Sequence, residues 1–223
     1  MSDSLILPVW QQNAEAWSNA IRQQRIASRV EVTNDAIVNA ILARKPDSIL
    51  DVGCGEGWLL RALQGHVAER YGIDGVATLI EKAAELGGGE FSTLSYQAFA
   101  NGDWPSLVDM LVFNFSLLGE EDSQTVLSAA ASLIKPGGCC LVQTLHPAFI
   151  DYGENYEAGW RDGSWAGFGD EFKEAHPWYF RSLSDWFTLF SACGLWVISV
   201  KEPRAKASAK PASIIFELIP RRP

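Results

Sequence analysis

The stretch Ile49-Leu50-Asp51-Val52-Gly53-Cys54-Gly55-Glu56-Gly57-Trp58 carries the strongest indication of the fold. It begins as an apolar run, passes through three glycines and continues into a segment with helical spacing of its apolar residues. Glycine tolerates positive backbone φ angles and lets a ligand lie against bare main chain. The stretch therefore predicts a buried strand that turns through a ligand-binding loop into a helix.

Similar apolar runs recur along the chain. Seven are predicted strands: Ser48–Val52, Arg70–Asp74, Phe91–Ser95, Asp109–Asn114, Cys139–Leu145, Trp196–Val200 and Ser213–Ile219. The first five are almost continuously apolar, which is typical of strands buried on both faces of a parallel sheet. Helical patterns separate them, so the sequence predicts an α/β fold, a doubly wound sheet with helices on both faces. A short polar segment joins the last two runs, which predicts an antiparallel hairpin.

Two helices are predicted before the first strand. An apolar stripe that includes Trp10 and Trp17 indicates the first helix, and a cap at Thr33 or Asn34 indicates the start of the second. We expect residues 1–33 to form a helical cover that packs over the sheet edge or over its ligand.

The composition is that of one globular domain over residues 1–223, with 48% apolar and 20% charged residues. The chain has no apolar run of membrane-spanning length and no signal-peptide pattern at its N-terminus, so we expect a cytoplasmic protein without a membrane partner. A net charge of −9 disfavours nucleic acid as a partner. The four cysteines are expected to be reduced thiols, and no Cys/His set has the spacing of a metal site.

The glycine loop favours a particular ligand chemistry. Trp58 stands where a dinucleotide-binding loop has its third glycine, and Asp51 would repel a diphosphate while it attracts an ammonium and a sulfonium. Asp74 and Gly75 follow the second predicted strand, where an acid in this type of fold binds ribose hydroxyls. Together the two positions fit an adenosine that is attached to an amino acid.

From about Asn34 onward the chain resembles the class I S-adenosylmethionine-dependent methyltransferases. The resemblance is carried by DVGCGEG at 51–57, GIDG at 72–75, DMLVFNFSLL at 109–118 and LIKPGG at 133–138. It implies a Rossmann-like methyltransferase fold with seven strands, the last one antiparallel, and S-adenosylmethionine as the cofactor. The implied cofactor site comprises Asp51, Gly53, Cys54, Gly55, Asp74, Gly75, Ser95, Tyr96, Phe113 and Asn114.

One position departs from the family pattern. Many relatives carry an acid after the third strand that receives the exocyclic amine of adenine, but this chain reads Leu94-Ser95-Tyr96-Gln97. Ser95 or Gln97 could accept that hydrogen bond instead, and Tyr96 could stack on the adenine ring.

Residues 146–181 form a long connection after the fifth predicted strand. They contain ten of the chain's 25 aromatic residues, and a connection of this length is typical of a lid or a substrate-binding loop. We expect substrate contacts from Tyr152, Trp160, Trp165 and His176. His146 is the best-placed candidate for a general base, with a purely structural role as the alternative, and His176 and Tyr152 are weaker candidates for the base.

The sequence thus favours a methyltransferase that moves the methyl group of S-adenosylmethionine to an oxygen, nitrogen or carbon of a small molecule. A nicotinamide-dependent oxidoreductase on the same sheet is one alternative, and a non-catalytic or regulatory protein that retains the cofactor site is another. A tRNA-directed methyltransferase is supported only by the basic residues near the C-terminus and is opposed by the net charge of −9. The acceptor and the oligomeric state stay open.

Overall fold

The computed structural model describes residues 1–149, 155–205 and 210–221, and these residues form nine strands and seven α-helices. The strands are β1 (Ser48–Val52), β2 (Glu69–Asp74), β3 (Glu90–Thr93), β4 (Val108–Asn114), β5 (Ile134–Thr144), β6 (Gly159–Arg161), β7 (Trp178–Phe180), β8 (Leu195–Lys201) and β9 (Ile214–Pro220). The helices are α1 (Ile6–Arg22), α2 (Asn34–Arg44), α3 (Trp58–Ala62), α4 (Ala77–Leu86), α5 (Tyr96–Ala100), α6 (Glu121–Leu133) and α7 (Leu183–Ala192).

The main sheet has seven strands in the order β3-β2-β1-β4-β5-β9-β8. Strands β1 to β5 pair in parallel, and β9 pairs antiparallel with both β5 and β8. The predicted seven-stranded, mostly parallel sheet with its antiparallel last strand is confirmed. The chain leaves β1 toward β2 on one side and returns through β4 on the other, so a crevice opens beyond the carboxyl ends of β1 and β4.

Helices cover both faces of the sheet, as the sequence predicts. On one face, α6 and α7 contribute Val126, Leu127, Trp186 and Phe190 to a buried apolar cluster with the strands. On the other face, α2 and α3 contribute Ile37, Ile41, Leu59 and Leu60 to a second cluster. The strands between them are therefore buried on both sides, which explains their continuous apolar runs.

The third strand does not fit the prediction that the first five strands are buried on both faces. Only one of its residues, Phe91, is even partly buried, because β3 is the edge strand and pairs with β2 alone. It also ends at Thr93, short of the predicted end at Ser95. Ser95 instead caps α5, since its Oγ accepts a hydrogen bond from the Ala98 N–H at 3.1 Å.

Helix α2 begins at the predicted position, with Thr33 as the residue before its first turn, but no side chain caps it. Thr33 has helical backbone angles and makes no side-chain capping bond. The helix continues directly from a wider π-helical turn at Arg29–Thr33, which buries Arg29 and Val32. This turn brings Arg29 next to the glycine loop, with consequences for the site below.

The small two-stranded sheet lies in the long connection after β5. Strands β6 and β7 pair antiparallel, and the Tyr179 N–H of β7 donates to the Leu118 carbonyl at 2.8 Å. This bond docks the connection against the loop that follows β4. Among the described residues, no helix has the length and apolar character needed to cross a membrane.

Candidate active site

The glycine loop between β1 and α3 depends on its three glycines. Gly53, Gly55 and Gly57 have φ angles of +79°, +56° and +80°, a region that other residues rarely adopt. The N–H groups of Gly53 and Cys54 donate to the Ile73 carbonyl at 2.8 and 3.0 Å, which ties the loop to the end of β2. The backbone of the loop is thereby held open toward the crevice.

Asp74, at the end of β2, also supports this loop. One carboxylate oxygen accepts from the Gly55 N–H at 2.9 Å, and the other accepts from the Val76 N–H at 2.8 Å. Burial raises the pKa of Asp74, and the two hydrogen bonds oppose that shift. Each oxygen keeps a second lone pair, so Asp74 can bind hydroxyl groups while it holds the loop in place.

Asp51 carries a buried carboxyl group that is incompletely hydrogen-bonded. Its side chain is buried, and its Oδ1 has no hydrogen-bond partner among the described residues. Burial and the nearby Asp74 carboxylate raise its pKa to about 8, and Arg29 opposes that shift. A buried carboxyl in this state is stabilised by any cation that enters the crevice beside it.

Arg29 supplies the opposite charge. Its side chain is only 8% exposed, and its Nε and Nη2 have no hydrogen-bond partner among the described residues. The guanidinium lies over the rings of Trp17 at 5.4 Å and Trp58 at 4.8 Å. Burial lowers its pKa to about 10, and the carboxylates of Glu56 and Asp51 oppose that shift. Arg29 is therefore a positioned cation with unused donors.

The end of β4 contributes a third unpaired group. Asn114 Oδ1 is buried and has no hydrogen-bond partner among the described residues. Phe115 follows with a φ of +56°, which is unusual for a residue with a side chain. Ser116 then binds back to β1, because its Oγ donates to the Val52 carbonyl at 2.7 Å. Tyr96 donates to the Ser116 carbonyl at 3.0 Å, which joins α5 to the same corner.

A cavity of about 1660 Å³ extends from this corner. Five residues of its lining have buried polar atoms without a hydrogen-bond partner among the described residues: Thr33, Arg181 and, around the glycine loop and the end of β4, Arg29, Asp51 and Asn114. Buried polar atoms without partners are rare in folded proteins and call for a ligand or an ordered water. Here two oxygen acceptors and one guanidinium share one end of the cavity, which matches the ammonium and the carboxylate of an amino acid.

A cover made of two parts closes the cavity on another side. The first part is α1, and the second is the segment 163–176 of the long connection. Asn13 of α1 is buried and joins them, because its Oδ1 accepts from the Lys173 N–H at 2.7 Å and its Nδ2 donates to the Glu174 carbonyl at 3.1 Å. Trp10 and Trp165 pack edge to face at 5.5 Å across the same junction.

His146 lies at the cavity wall but has both ring nitrogens engaged. Its Nδ1 accepts from the Ala148 N–H at 3.0 Å, and its Nε2 lies 2.7 Å from a carboxylate oxygen of Glu202. The first bond requires a lone pair on Nδ1, so Nε2 carries the proton and donates it to Glu202. This arrangement leaves no ring nitrogen for an acceptor molecule. This arrangement contradicts the prediction that His146 acts as a general base.

A family model described as a methyltransferase domain matches residues 21–200. The chain belongs to the S-adenosylmethionine-dependent methyltransferases. Among curated relatives of this methyltransferase, a ubiquinone biosynthesis O-methyltransferase of Coxiella burnetii is 27% identical over 143 residues, which cover 62% of the chain and 61% of the relative. An uncharacterized methyltransferase of Mycobacterium tuberculosis is 28% identical over 111 residues, 49% of the chain and 56% of the relative. The methyltransferase thus matches less than two thirds of the length of these relatives.

Solved structures share the fold of this methyltransferase over most of its length. The DhpI-SAM-HEP complex has a TM-score of 0.64 at 18% identity, and the match covers 99% of this chain and 100% of DhpI. The magnesium protoporphyrin IX methyltransferase of Synechocystis PCC 6803, with bound SAH, has a TM-score of 0.61 at 17% identity and covers 92% and 93%. At such low identity these matches show the common fold.

Most residues that the sequence predicts for the cofactor site line the cavity of the methyltransferase. They are Asp51, Gly53, Cys54, Gly55, Asp74, Gly75, Ser95, Tyr96 and Asn114. Phe113 does not line it, because it is fully buried in the apolar cluster beneath α6 and α7. Neighbouring side chains of a strand point to opposite faces, so Phe113 faces the core where Asn114 reaches the cavity.

Of the predicted substrate residues that the structure describes, two line the cavity and one does not. Trp165 and His176 line the cavity. Trp160 does not, because its ring packs against Tyr179 at 5.6 Å across β6 and β7. Tyr152 lies outside the described residues.

Two polar residues of the site, Arg29 and Asp122, were not predicted from the sequence, because no motif marks them. Arg29 precedes α2 in a stretch without a motif, and only the π-helical turn brings it to Asp51. Asp122 looks like an ordinary acid in the first turn of α6, yet it lines the cavity near Gln97. Asn13 offered a signal, since it is a polar residue beside the apolar stripe of α1.

Proposed function

We propose that this protein transfers the methyl group of S-adenosylmethionine to a small molecule held in the same cavity. The observation that carries the proposal is the group of unpaired atoms on Arg29, Asp51 and Asn114 at one end of the cavity. Their charges and hydrogen-bonding capacity complement the amino-acid part of the methyl donor. When bound, the donor supplies a sulfonium-activated methyl group.

In this proposal the oxygens of Asp51 and Asn114 accept from the ammonium of the donor, and Arg29 donates to its carboxylate. Charge-assisted hydrogen bonds of this kind are about twice as strong as neutral ones. Asp74 uses its remaining lone pairs for the ribose hydroxyls, as expected for an acid at the end of the second strand. The positive end of the donor then lies beside the carboxyls of Asp51 and Asp74, which flank the glycine loop.

Asp122 takes the place of the acid that is missing after β3. It lines the cavity in the first turn of α6, and its Oδ1 lies 3.4 Å from Gln97 Nε2. Burial and the nearby Asp3 carboxylate raise its pKa. We assign Asp122 the role of accepting the exocyclic amine of adenine, with Gln97 beside it.

The two-part cover keeps water out of the reaction. Methyl transfer to a nucleophile needs alignment of the two reactants and exclusion of water more than it needs chemical groups from the protein. The aromatic rings of Trp10, Trp17 and Trp165 lie in the cavity wall contributed by α1 and the segment 163–176. This wall is apolar and favours a nearby cation through its ring faces.

A small acceptor fits the dimensions and charge of the site. Ligand cavities usually have about 300–1,000 Å³, and this one has about 1660 Å³, which leaves room for a second molecule beside the donor. The net charge of −9 opposes a nucleic acid acceptor. Two of the relatives whose names state a substrate or product, a ubiquinone biosynthesis O-methyltransferase and a magnesium protoporphyrin IX methyltransferase, support a small-molecule acceptor.

Two measurements test the proposal. Calorimetry should show one site for S-adenosylhomocysteine, and Asp74→Ala should weaken that binding by about 1.5–3 kcal/mol because it removes a charged hydrogen-bond acceptor. Incubation with S-adenosylmethionine and a metabolite extract should release S-adenosylhomocysteine. Absence of binding at millimolar ligand contradicts the cofactor assignment, whereas binding without any release identifies a non-catalytic protein.

A further inference from the structure

His176 differs from His146, the other histidine that lines the cavity, in having one ring nitrogen without a hydrogen-bond partner among the described residues. Its Nδ1 lies 3.0 Å from the Pro177 carbonyl, which can only accept, so Nδ1 carries the proton. In the neutral ring the lone pair is then on Nε2, which has no hydrogen-bond partner among the described residues. Its ring lines the cavity and is half-buried.

The ring of His176 is held on two sides. It stacks on Trp10 at 5.0 Å with an interplanar angle of 26°, and Trp165 meets it edge-on at 5.5 Å. Gly163 allows this placement, because any side chain there would collide with the backbone carbonyl of His176. The plane of the ring is therefore held by Trp10 and Trp165, and the Pro177 carbonyl selects the tautomer with the proton on Nδ1.

Burial favours the neutral form of the ring. Burial lowers the pKa of His176 below its usual value, and the hydrogen bond to Pro177 opposes that shift. On the elements packed around the ring, Glu15 of α1 is paired with Lys82, and Glu171 is paired with Arg25. At neutral pH the ring therefore has a lone pair available for a proton.

Three of the other titratable groups that line the cavity are less suited to accept a proton. His146 uses both nitrogens within the chain. Tyr96 donates to the Ser116 carbonyl, and burial raises its pKa. Burial also raises the pKa of the Cys54 thiol well above its usual value. The third histidine, His66, lies away from the cavity, beside Lys45 and Asp47 at the other end of β1.

The geometry points to His176 as the general base of the methyl transfer, acting on an acceptor whose reacting group is a hydroxyl on an aromatic ring. This inference rests on the proposed function. The acceptor oxygen forms the new bond to the methyl carbon, the carbon–sulfur bond of the donor breaks with its electron pair left on sulfur, and the hydroxyl proton passes to His176 Nε2. The resulting imidazolium returns that proton to water after the product leaves.

The acceptor class follows from the chemistry of this base. A neutral imidazole is strong enough to take the proton of a phenol as the bond to carbon forms, but an aliphatic alcohol is far too weak an acid. The neighbouring rings of Trp10 and Trp165 provide an apolar wall for a planar molecule.

The tautomer can be tested without any substrate. In protein labelled with ¹⁵N-histidine, long-range ¹H–¹⁵N correlation spectra contain only three histidines, and His176→Gln assigns the resonance of His176. We expect a protonated Nδ1 and an unprotonated Nε2 at pH 7 in the complex with S-adenosylhomocysteine. A proton on Nε2, or a charged ring at pH 7, overturns the inference and leaves the cofactor site untouched.

Catalysis provides the second test. S-adenosylhomocysteine release is measured with a panel of mono- and dihydric phenols, the corresponding anilines and benzyl alcohol. We expect turnover of phenols, a loss of about a hundredfold or more in kcat for His176→Gln, and unchanged S-adenosylhomocysteine affinity. Without the base only the phenolate reacts, so the rate of the variant should rise about tenfold per pH unit as the phenol ionises in solution.

The matched control is His66→Gln, which should keep both the rate and the pH profile of the wild type. If His176→Gln retains the wild-type pH profile, His176 is not the general base. The acceptor class is wrong when anilines react and phenols do not, or when no phenol reacts while S-adenosylhomocysteine binds normally. If the wild-type protein does not bind S-adenosylhomocysteine, the proposed function itself is contradicted.

Discussion

Asp51→Asn should weaken binding of the methyl donor and at the same time stabilise the empty protein. Asp51 has a pKa of about 8 in the folded chain. At pH 7 about a tenth of the molecules then carry the carboxylate, and at pH 6 about a hundredth, so the apparent affinity for a ligand that needs this charge falls with the ionised fraction. We expect the affinity for S-adenosylhomocysteine to rise by about fifty-fold from pH 6 to pH 8.

Above pH 8 the rise should level off, because Asp51 is already half ionised at pH 8 and can gain at most about twofold more. The ammonium of a free amino acid is a weaker acid than that of a chain terminus, so the ligand keeps its positive charge through pH 8. Asp51→Asn cannot gain the charge and should show no such rise, with an affinity about 10- to 100-fold below the wild type at pH 8. The assay is isothermal titration calorimetry at each pH unit from 6 to 9.

5′-Methylthioadenosine is the control ligand, because it has the adenosine and the sulfur but no amino-acid group. Its affinity should be the same for both proteins at each pH. A flat affinity of the wild type for S-adenosylhomocysteine between pH 6 and pH 8 would show that the charge of Asp51 does not govern binding. An equal loss of affinity for both ligands in Asp51→Asn would lead to the same conclusion.

The same pKa governs the stability of the empty protein. The folded pKa of Asp51 lies above the unfolded value of about 3.9, so the folded chain binds one more proton between about pH 4 and pH 8. Stability is therefore present at low pH and is lost as the pH rises through this window, at most about 1.4 kcal/mol per pH unit. Asp51→Asn should melt several degrees higher than the wild type at pH 8, and the difference should vanish near pH 4.

Four further substitutions probe other parts of the site. Gly53→Ala forces a side chain into a positive φ and against Ser116, and denaturant titration should show a loss of about 1–3 kcal/mol; wild-type stability would contradict the loop geometry. Arg29→Met should lower S-adenosylhomocysteine affinity by about 10- to 100-fold without affecting 5′-methylthioadenosine, and parallel losses would argue against carboxylate binding. Asp122→Ala should weaken adenosine binding by about 1.5–3 kcal/mol in calorimetry, and full retention would exclude its contact with adenine. Asn13→Ala removes the bonds to the segment 163–176, so stopped-flow release of S-adenosylhomocysteine should be faster; an unchanged rate would show that the cover does not control release.

The fold could be predicted from the sequence because its central strands are buried on both faces. Continuous apolar runs as short as Ser48–Val52 are typical of such strands, and the strand order follows from the family motifs. The prediction was wrong for the end of the third strand. Phe91–Ser95 looks apolar enough for a central strand, but edge position and the capping role of Ser95 depend on neighbours that a single sequence does not specify.

The part of the site on the strand ends could be predicted, because each residue is fixed by the end of its own strand. Asp51, Asp74 and Asn114 are examples. The remaining groups come from segments whose position is set by tertiary contacts. Arg29 depends on a π-helical turn, and His176 depends on stacking against Trp10, 166 positions earlier in the chain. Neither contact leaves a local pattern.

His146 shows how little the position of a residue says about its protonation. It follows the fifth strand as predicted, and its ring lies at the cavity wall. Its chemistry, however, is decided by two partners, the Ala148 N–H two residues on and Glu202 beyond β8. The sequence places the imidazole correctly but does not show which of its nitrogens is free.

A crystal structure of the protein with bound S-adenosylhomocysteine is the decisive measurement for the cofactor site. We predict that the ammonium of the ligand lies within hydrogen-bonding distance of Asp51 and Asn114, and that its carboxylate contacts the Arg29 guanidinium. An empty glycine loop would contradict this assignment. So would a ligand whose amino-acid group points away from Arg29 and Asp51.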